Sequence, residues 1–223
     1  MIRTSLTLSL LVLTFFVSAQ VRLAAFAGPQ VTTARYVIND SRQPTGHKLG
    51  LMAGLGLKVP FENRLYFFPS IYYSLKGYTV TLTDRSYPPT EAALNNDVTL
   101  HTVEIAPLFQ VDLSSKPSHP FVRFGPAIDI AVAGTERFDT LDHLANTGSV
   151  KRPMKFGFTA YGRFTASGNF HLGYESEKGW MFFAWYALGF GSLNNADNGP
   201  RILHRIGGLS LGWYLREIKG KYH

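Results

Sequence analysis

Residues 102–134 alternate between large apolar side chains and small or polar ones, and this alternation limits the possible fold more than any other feature. In TVEIAPLFQVDL the odd-numbered positions are apolar, and after SSKPSH the even-numbered positions of PFVRFGPAIDIAVAG are apolar. Successive side chains of a β-strand point to opposite faces, so the pattern predicts two strands joined by a short turn. Each strand has one apolar face, which must contact either a protein core or lipid.

Six further stretches show strand-like alternation, which brings the predicted number of strands to eight. They are 21–31, 49–59, 65–80, 154–174, 180–193 and 204–215. In LGLMAGLGLKV one face is almost entirely leucine while the opposite face is rich in glycine, which is typical of a small barrel with little room inside. The stretch 154–174 is compatible with one long strand or with two strands that break near Ser167 and Gly168.

The predicted connections alternate between long and short along the chain. Short turns are predicted at 60–63, 114–119 and 176–179, and long loops include 82–97 and 135–152. Tight periplasmic turns, longer external loops and an even number of strands are typical of outer-membrane barrels. Aromatic residues near the short turns and the C-terminus predict a membrane-interface girdle: Phe61, Tyr66, Phe121, Tyr174, Trp180, Trp213 and Tyr214. We therefore predict an all-β fold, an eight-stranded antiparallel up-and-down transmembrane β-barrel.

The first 19 residues have the features of a cleaved secretory signal. Arg3 is the positive residue, LTLSLLVLTFFV is the apolar core and Val17-Ser18-Ala19 is the cleavage site. We expect a signal peptide at 1–19, a barrel domain at 20–223 and residence in the cell outer membrane. Loss of Arg3 with the signal would lower the formal net charge from +7 to +6. Cysteine is absent, so neither a disulfide nor a lipid-anchored N-terminal cysteine is possible.

The chain resembles the PorT-type outer-membrane β-barrel family, which is common in Bacteroidetes. The resemblance covers nearly all of the chain after the signal and is carried by LGLMAGLGLKVP, YFFPSIYYSLKG, VEIAPLFQ, VRFGPAIDIAV, FFAWYALGFGSLNN and IGGLSLGWYL. It implies a barrel without an assigned activity, and the founding member is similar to a component of type IX protein secretion. The chain departs from the family pattern at Ser70, at Trp185-Tyr186 and after Leu215. Because of these departures, the resemblance does not imply a specific network of lumen residues.

Five charged residues are expected to face the barrel interior. The inside of an eight-stranded barrel is filled by side chains, so charges there should pair with one another. We interpret them as a structural polar network, with a proton or ligand pathway as the alternative. The residues are Glu104, Asp112, Arg123, Asp129 and Arg163.

The sequence contains three weak candidates for a catalytic or metal-binding site. Gly208-Leu209-Ser210-Leu211-Gly212 matches the nucleophile motif G-x-S-x-G, but it lies in a predicted strand without a following helix. The seven histidines are scattered, and no metal or cofactor is expected. Residues 139–143 could hold a divalent ion in an external loop, although an ordinary solvated loop has the same composition. We expect no catalytic residues.

Basic side chains near the external loops indicate anionic lipid as a partner, and lipopolysaccharide phosphates fit them. They are Arg42, Lys48, Arg85, Arg137, Lys151, Arg152, Arg201 and Arg205. The positive charge forms no basic run, so nucleic acid is not an expected partner. The sequence thus indicates a monomeric structural or interaction barrel, accessory to secretion or envelope integrity, with a possible periplasmic or surface protein partner. An outer-membrane hydrolase acting on lipid A or peptides and a soluble lipocalin-like barrel are the alternatives.

Overall fold

A computed structural model describes residues 21–84, 87–141 and 147–218, and the predicted signal at 1–19 lies outside them. The described chain forms one antiparallel sheet of eleven strands. None of it forms a helix that is both long and apolar enough to cross a membrane. The strands are β1 (Val21–Ile38), β2 (Ser41–Arg42), β3 (Thr45–Gly46), β4 (Lys48–Glu62), β5 (Leu65–Thr81), β6 (Asn95–Asp112), β7 (His119–Leu141), β8 (Thr147–Pro153), β9 (Phe164–Glu175), β10 (Trp180–Gly189) and β11 (Arg201–Ile218).

Eight of the strands close into a ring. Each long strand pairs with the next long strand along the chain, in the order β1, β4, β5, β6, β7, β9, β10 and β11. The last strand then pairs with the first, from Val21 opposite Ile218 to Val37 opposite Arg201. This confirms the predicted eight-stranded up-and-down barrel, whose ring leaves no open sheet edge. The short strands β2, β3 and β8 lie at the end with the long connections.

The apolar faces of the strands point outward. In β6 the even-numbered residues from Thr102 to Asp112 are buried in the lumen, while Ile105 and Phe109 on the opposite face are 47% and 37% exposed. The outward apolar run from Val103 to Leu113 has the length that a tilted strand needs to cross a bilayer, about 9–11 residues. A continuous belt of such residues surrounds the ring, so the belt contacts lipid rather than a protein core.

Inward-facing glycines leave room for large rings inside the barrel. A Cβ on Gly56 would lie 2.3 Å from the Phe68 ring, and a Cβ on Gly54 would lie 2.3 Å from Cβ of Tyr72. The same holds on β11, where a Cβ on Gly208 would lie 2.8 Å from the Trp185 indole nitrogen. The glycine-rich faces predicted to line a crowded interior therefore do line it.

The strands extend beyond the apolar belt at the end with the long connections, and here two predictions are wrong. Residues 135–152 are not a loop, because β7 continues to Leu141 and pairs with β8 as a hairpin. In the segment 154–174 the only strand is β9, which begins at Phe164. Outside the membrane the outward face contacts water, so Thr135, Arg137 and Asp139 replace the apolar residues by which the lower strands were recognised.

The predicted aromatic girdle is only partly correct. Phe61, Tyr174, Trp180 and Trp213 are exposed on the outer wall near the short turns. Three others point inward, because they occupy lumen-facing positions of their strands: Phe121 and Tyr214 are buried, and Tyr66 lies under the ammonium group of Lys58.

A β-bulge in β7 changes which positions face the lumen. The pairing with β6 shifts between Thr102, which lies opposite Ala131, and His101, which lies opposite Ala133. Val132 and Ala133 are consequently both exposed, whereas uninterrupted alternation from Asp129 would turn Ala133 inward. Beyond the bulge the even-numbered residues face inward, which places Glu136 and Phe138 in the interior.

Candidate functional site

Four of the five predicted lumen charges are buried inside the barrel, and one is not. Glu104, Asp112, Arg123 and Asp129 are at most 4% exposed. Arg163 lies outside, just before β9, and the prediction for it is wrong because strand alternation does not extend back to this position. Its guanidinium lies 4.9 Å from the centre of the Phe156 ring, and it donates a hydrogen bond to the Ala131 carbonyl.

The charges nearest the short turns form a cluster around Lys58. Its ammonium group lies 2.7 Å from Oδ2 of Asp112 and 2.8 Å from Oε2 of Glu175. The amide of Gln110 donates a hydrogen bond to each of these carboxylates, at 2.7 Å. The Tyr214 hydroxyl donates to Glu175 at 2.6 Å. The cluster therefore ties β4, β6, β9 and the last strand, β11, together across the lumen.

Three ligand-type side chains meet in this cluster. Atoms of Asp112, His119 and Glu175 lie within 4.8 Å of one another. Nε2 of His119 is 2.9 Å from Oδ2 of Asp112, but it lacks the alignment of a hydrogen bond. The same two carboxylates already hold Lys58, so the positive charge in this group is supplied by the protein itself.

Arg123 fills the lumen above this cluster. Its guanidinium lies 3.5 Å from the centre of the Phe68 ring, and Phe121 and Phe183 surround it at 4.8 and 5.4 Å. The side chain is fully buried, and its Nε and Nη2 both donate to Oε1 of Gln110. A cation among aromatic faces with a fixed acceptor blocks the cross-section of the barrel rather than lining a channel.

A second ion cluster lies further toward the long connections. Lys76 is 2.7 Å from Oε1 of Glu104 and 3.0 Å from Oδ2 of Asp129. Thr102 donates to Glu104 and Ser167 donates to Asp129. Each carboxylate thus has a cationic and a hydroxyl partner, as buried charges require.

The register explains why Glu104 and Arg123 do not pair with each other, although their strands are neighbours. Glu104 lies opposite Asp129, and Arg123 lies opposite Gln110. Sequence analysis missed Lys58, Lys76 and Glu175 as network members. Both lysines occupy even-numbered positions, which face the lumen in β4 and β5, and this alternation was the available signal.

The outer end of the barrel is closed by a hydrophobic cluster of its own. Tyr36, Tyr78, Phe138, Met154 and Leu193 are among its members. At its rim Glu136 accepts hydrogen bonds from Nε of Arg152 at 2.7 Å and from the Tyr161 hydroxyl at 2.8 Å. These contacts hold the β7–β8 hairpin and the segment that follows it over the barrel mouth.

Titratable groups of this outer part are perturbed, among them Tyr161 and Asp139. Burial raises the pKa of the Tyr161 phenol well above its usual value, and the carboxylate of Glu136 acts in the same direction. Hydrogen bonds from Asn95 and Ser149 lower the pKa of Asp139, which is partly exposed. Asp142 and His143, the other residues considered for a divalent ion beside Asp139, lie outside the described residues.

The G-x-S-x-G match forms part of the lumen wall. Ser210 is buried in β11, opposite Phe183, and its hydroxyl accepts a hydrogen bond from the Trp185 indole at 3.2 Å. The strand continues on both sides of it, so the strand-turn-helix geometry of a nucleophile elbow does not occur here. His204 faces the same interior, six residues and about 20 Å along the strand.

The basic residues of the external loops fall into two groups. In the first group Lys48 pairs with Asp97, Arg152 with Glu136, and Arg137 donates to Ser149. In the second group, no described residue pairs with the side chain or accepts a hydrogen bond from it; these are Arg42, Lys151, Arg201 and Arg205. Arg85 lies outside the described residues.

The sequence model of a family described as outer membrane protein beta-barrel domain matches residues 18–195. Among curated proteins, none matches the chain significantly. The attachment invasion locus protein Ail of Yersinia pestis is a similar solved structure, with 9% identity, a TM-score of 0.42 and coverage of 86% of this chain and 97% of that chain. Neisserial surface protein A is similar too, with 9% identity, a TM-score of 0.42 and coverage of 86% and 99%.

Proposed function

Because the chain belongs to the family of outer membrane protein β-barrel domains, we propose that it is a PorT-type barrel with a structural or interaction role in the outer membrane. On this proposal residues 1–19 are a cleaved export signal and the barrel is monomeric. It acts as an accessory to secretion or to envelope integrity through the surfaces it presents on either side of the membrane. No catalytic step is assigned to it.

The observation that carries this proposal is the filled lumen. Arg123 is 0% exposed among three aromatic rings, and an ion cluster lies on each side of that layer. The outer mouth is covered by the hydrophobic cluster that contains Tyr36 and Phe138. A barrel packed in this way has no room to move a solute, so its work is done by its outside.

The surface at the outer end is rigid enough to serve as a binding face. The β7–β8 hairpin extends the barrel wall. Arg152 of β8 pairs with Glu136 of β7 across it, and Tyr161 from the following segment donates a hydrogen bond to the same carboxylate. Loops held by strands and buried hydrogen bonds present side chains in a fixed arrangement, which lowers the ordering cost of binding. Lipopolysaccharide is the proposed lipid partner, because basic residues that pair with no described residue lie at this end.

Single-channel recording in planar bilayers tests the filled lumen. The purified, refolded protein should conduct no more than a protein-free bilayer. An Arg123→Ala/Phe68→Ala variant, which removes the central layer, should conduct more than the wild type if it folds. Folding is checked by heat-modifiable migration on gels. A stable open channel in the wild type would contradict the proposed role.

A gene-replacement experiment tests the interaction role. A strain that carries the barrel with residues 136–152 replaced by a two-residue turn should insert the protein normally but fail to restore the envelope or secretion defect of the deletion strain. The matched control replaces the short turn 114–118, which lies at the other end. If both replacements restore function equally and the Arg123→Ala/Phe68→Ala variant does not, the work is done in the lumen and the proposal is wrong.

A further inference from the structure

A groove with basic residues on its lining lies on the outer wall where β10, β11 and β1 meet. Its volume is about 420 Å³, and its lining includes Arg42 and His47 beside the short strands and Arg205 from β11. No carboxylate occurs among the described residues that line it. A cavity with this charge selects an anionic group.

The floor of the groove is set by a glycine. Gly207 lies between Val31 of β1 and Tyr186 of β10 in the pairing of the sheet. It faces outward but has no side chain, so a notch opens between its two large neighbours. A Cβ at this position would meet the Tyr186 ring at 3.6 Å, which is ordinary contact. The notch can therefore accept a Cβ without a clash with the barrel wall.

The groove adjoins the lipid-facing belt. Val31 and Tyr186, at its lower edge, are 45% and 47% exposed and continue the apolar surface of the wall. One row higher, Arg205 lies between Thr33 and Leu188. The polarity of the wall thus changes from apolar to cationic at the level of the groove, which is where lipid headgroups lie.

The arginines here have no partner within the described protein. The side chains of Arg42 and Arg205, and of Arg35 and Arg201 on the strands above them, neither form an ion pair nor donate a hydrogen bond to any described residue. On the far side of the ring, by contrast, Arg152 and Arg137 are engaged by Glu136 and Ser149. Four guanidinium groups without acceptors beside a lipid belt are available for an external anion.

We propose that this groove binds a phosphate of lipopolysaccharide from the outer leaflet, with Arg42 and Arg205 as its main ligands. Guanidinium groups bind phosphate through paired, charge-assisted hydrogen bonds. The acyl chains of the same lipid would lie against Val31 and Tyr186 below. This inference rests on the proposed role at the outer leaflet and assigns it a particular face of the barrel.

Binding of purified lipopolysaccharide to the full-length barrel in detergent tests the groove, with the bound lipid counted by native mass spectrometry. An Arg42→Gln/Arg205→Gln variant should bind at least about tenfold more weakly than the wild type. Gly207→Leu, which fills the notch and leaves the charge unchanged, should weaken binding as well. Removal of the phosphates from the lipopolysaccharide should abolish the difference between the variants.

The matched control is Arg137→Gln/Lys151→Gln, which removes the same charge from the β7–β8 hairpin and should keep wild-type binding. Equal losses in both double variants would show a general charge effect and overturn the proposed site. Equal binding to phosphatidylglycerol would overturn lipopolysaccharide as the occupant. Wild-type binding by Arg42→Gln/Arg205→Gln would overturn the groove itself. The conductance test does not depend on these residues, so failure of the groove and failure of the sealed-barrel role are distinguishable.

Discussion

The guanidinium of Arg123 lies over the ring of Phe68 at 3.5 Å, in the middle of a barrel whose wall faces lipid. Arg123→Ala should lower the free energy of unfolding by about 3–5 kcal/mol, because it leaves a cavity among three rings and removes both donors to Gln110. Urea titration in lipid vesicles measures this. Arg64→Ala, which removes an exposed turn arginine, should change stability by about 0.5 kcal/mol or less. Similar losses in the two variants would refute the sealing role of Arg123.

The Lys76 cluster should respond to the balance of its charges. Lys76→Met leaves Glu104 and Asp129 together without a cation and should cost about 3–5 kcal/mol of stability. Neutralising both carboxylates in the same chain, by Glu104→Gln and Asp129→Asn, should recover most of that loss. Lys48→Met is the control, since its partner Asp97 is exposed, and it should cost about 1 kcal/mol at most. Failure of the triple variant to recover would argue that packing, not charge, dominates at Lys76.

The orientation of the wall can be tested with one charge. Ile105→Lys puts an ammonium group on the lipid face and should cost about 2–4 kcal/mol if the residue lies near the middle of the bilayer. Thr135→Lys puts the same charge on the outward face of β7 above the belt, where the side chain contacts water, and should be nearly neutral. Equal effects in vesicle unfolding would contradict the placement of Ile105 in lipid.

The inward glycines should not tolerate even a methyl group. In Gly54→Ala the new Cβ would lie 2.3 Å from Cβ of Tyr72 and 2.4 Å from the Ile71 carbonyl oxygen. We expect a loss of about 1–3 kcal/mol from overpacking, seen as a lower midpoint of urea unfolding. Gly157→Ala is the control, because nothing lies within 4 Å of its added Cβ. If Gly54→Ala unfolds at the same urea concentration as the control, the lumen is less tightly packed than described.

Acid should loosen the outer hairpin before it affects the barrel wall below. Hydrogen bonds from Asn95 and Ser149 lower the pKa of Asp139 in the folded protein. The carboxylate therefore stabilises the hairpin above the ordinary aspartate pKa of 3.8, and this contribution is lost as the pH falls below that value. The protection factors of amides 135–140 and 148–152, measured by hydrogen exchange and corrected for the intrinsic rate at each pH, should fall in that range, and Asp139→Asn should remove this step. An unchanged step in Asp139→Asn would assign it to another group.

The alternation of side chains predicted the membrane part of the fold because lipid makes the outward face apolar at every second residue. From Thr102 to Leu113 the predicted inward and outward positions agree with the structure. The same rule failed above the belt, where the outward residues of the hairpin are polar and the strands were taken for a loop. Alternation cannot detect a strand whose outward face is polar instead of apolar.

The site was predictable at the level of individual positions but not of partners. The alternation of side chains predicted that Glu104, Asp112, Arg123 and Asp129 face the lumen, and all four are buried there. Which of them meet depends on strand register and on Lys58 and Lys76, which arrive from other strands. The prediction that Arg163 faces the lumen was wrong because regular alternation starts only at Phe164, and no pattern in the sequence marks that boundary.

The bulge at Val132 has a consequence for how this chain can vary in length. Loss of one residue between Ala131 and Gly134 would remove the bulge and restore plain alternation, so Glu136 and Phe138 would still face the interior and Arg137 the solvent. Loss of a second residue would exchange the two faces of everything beyond it. Insertions in the exposed turn 114–118 change no face, because both strands there have already ended. Natural relatives should therefore differ freely in the size of that turn, whereas a relative whose β7 is one residue shorter between Asp129 and Glu136 should lack the bulge and keep the same two faces.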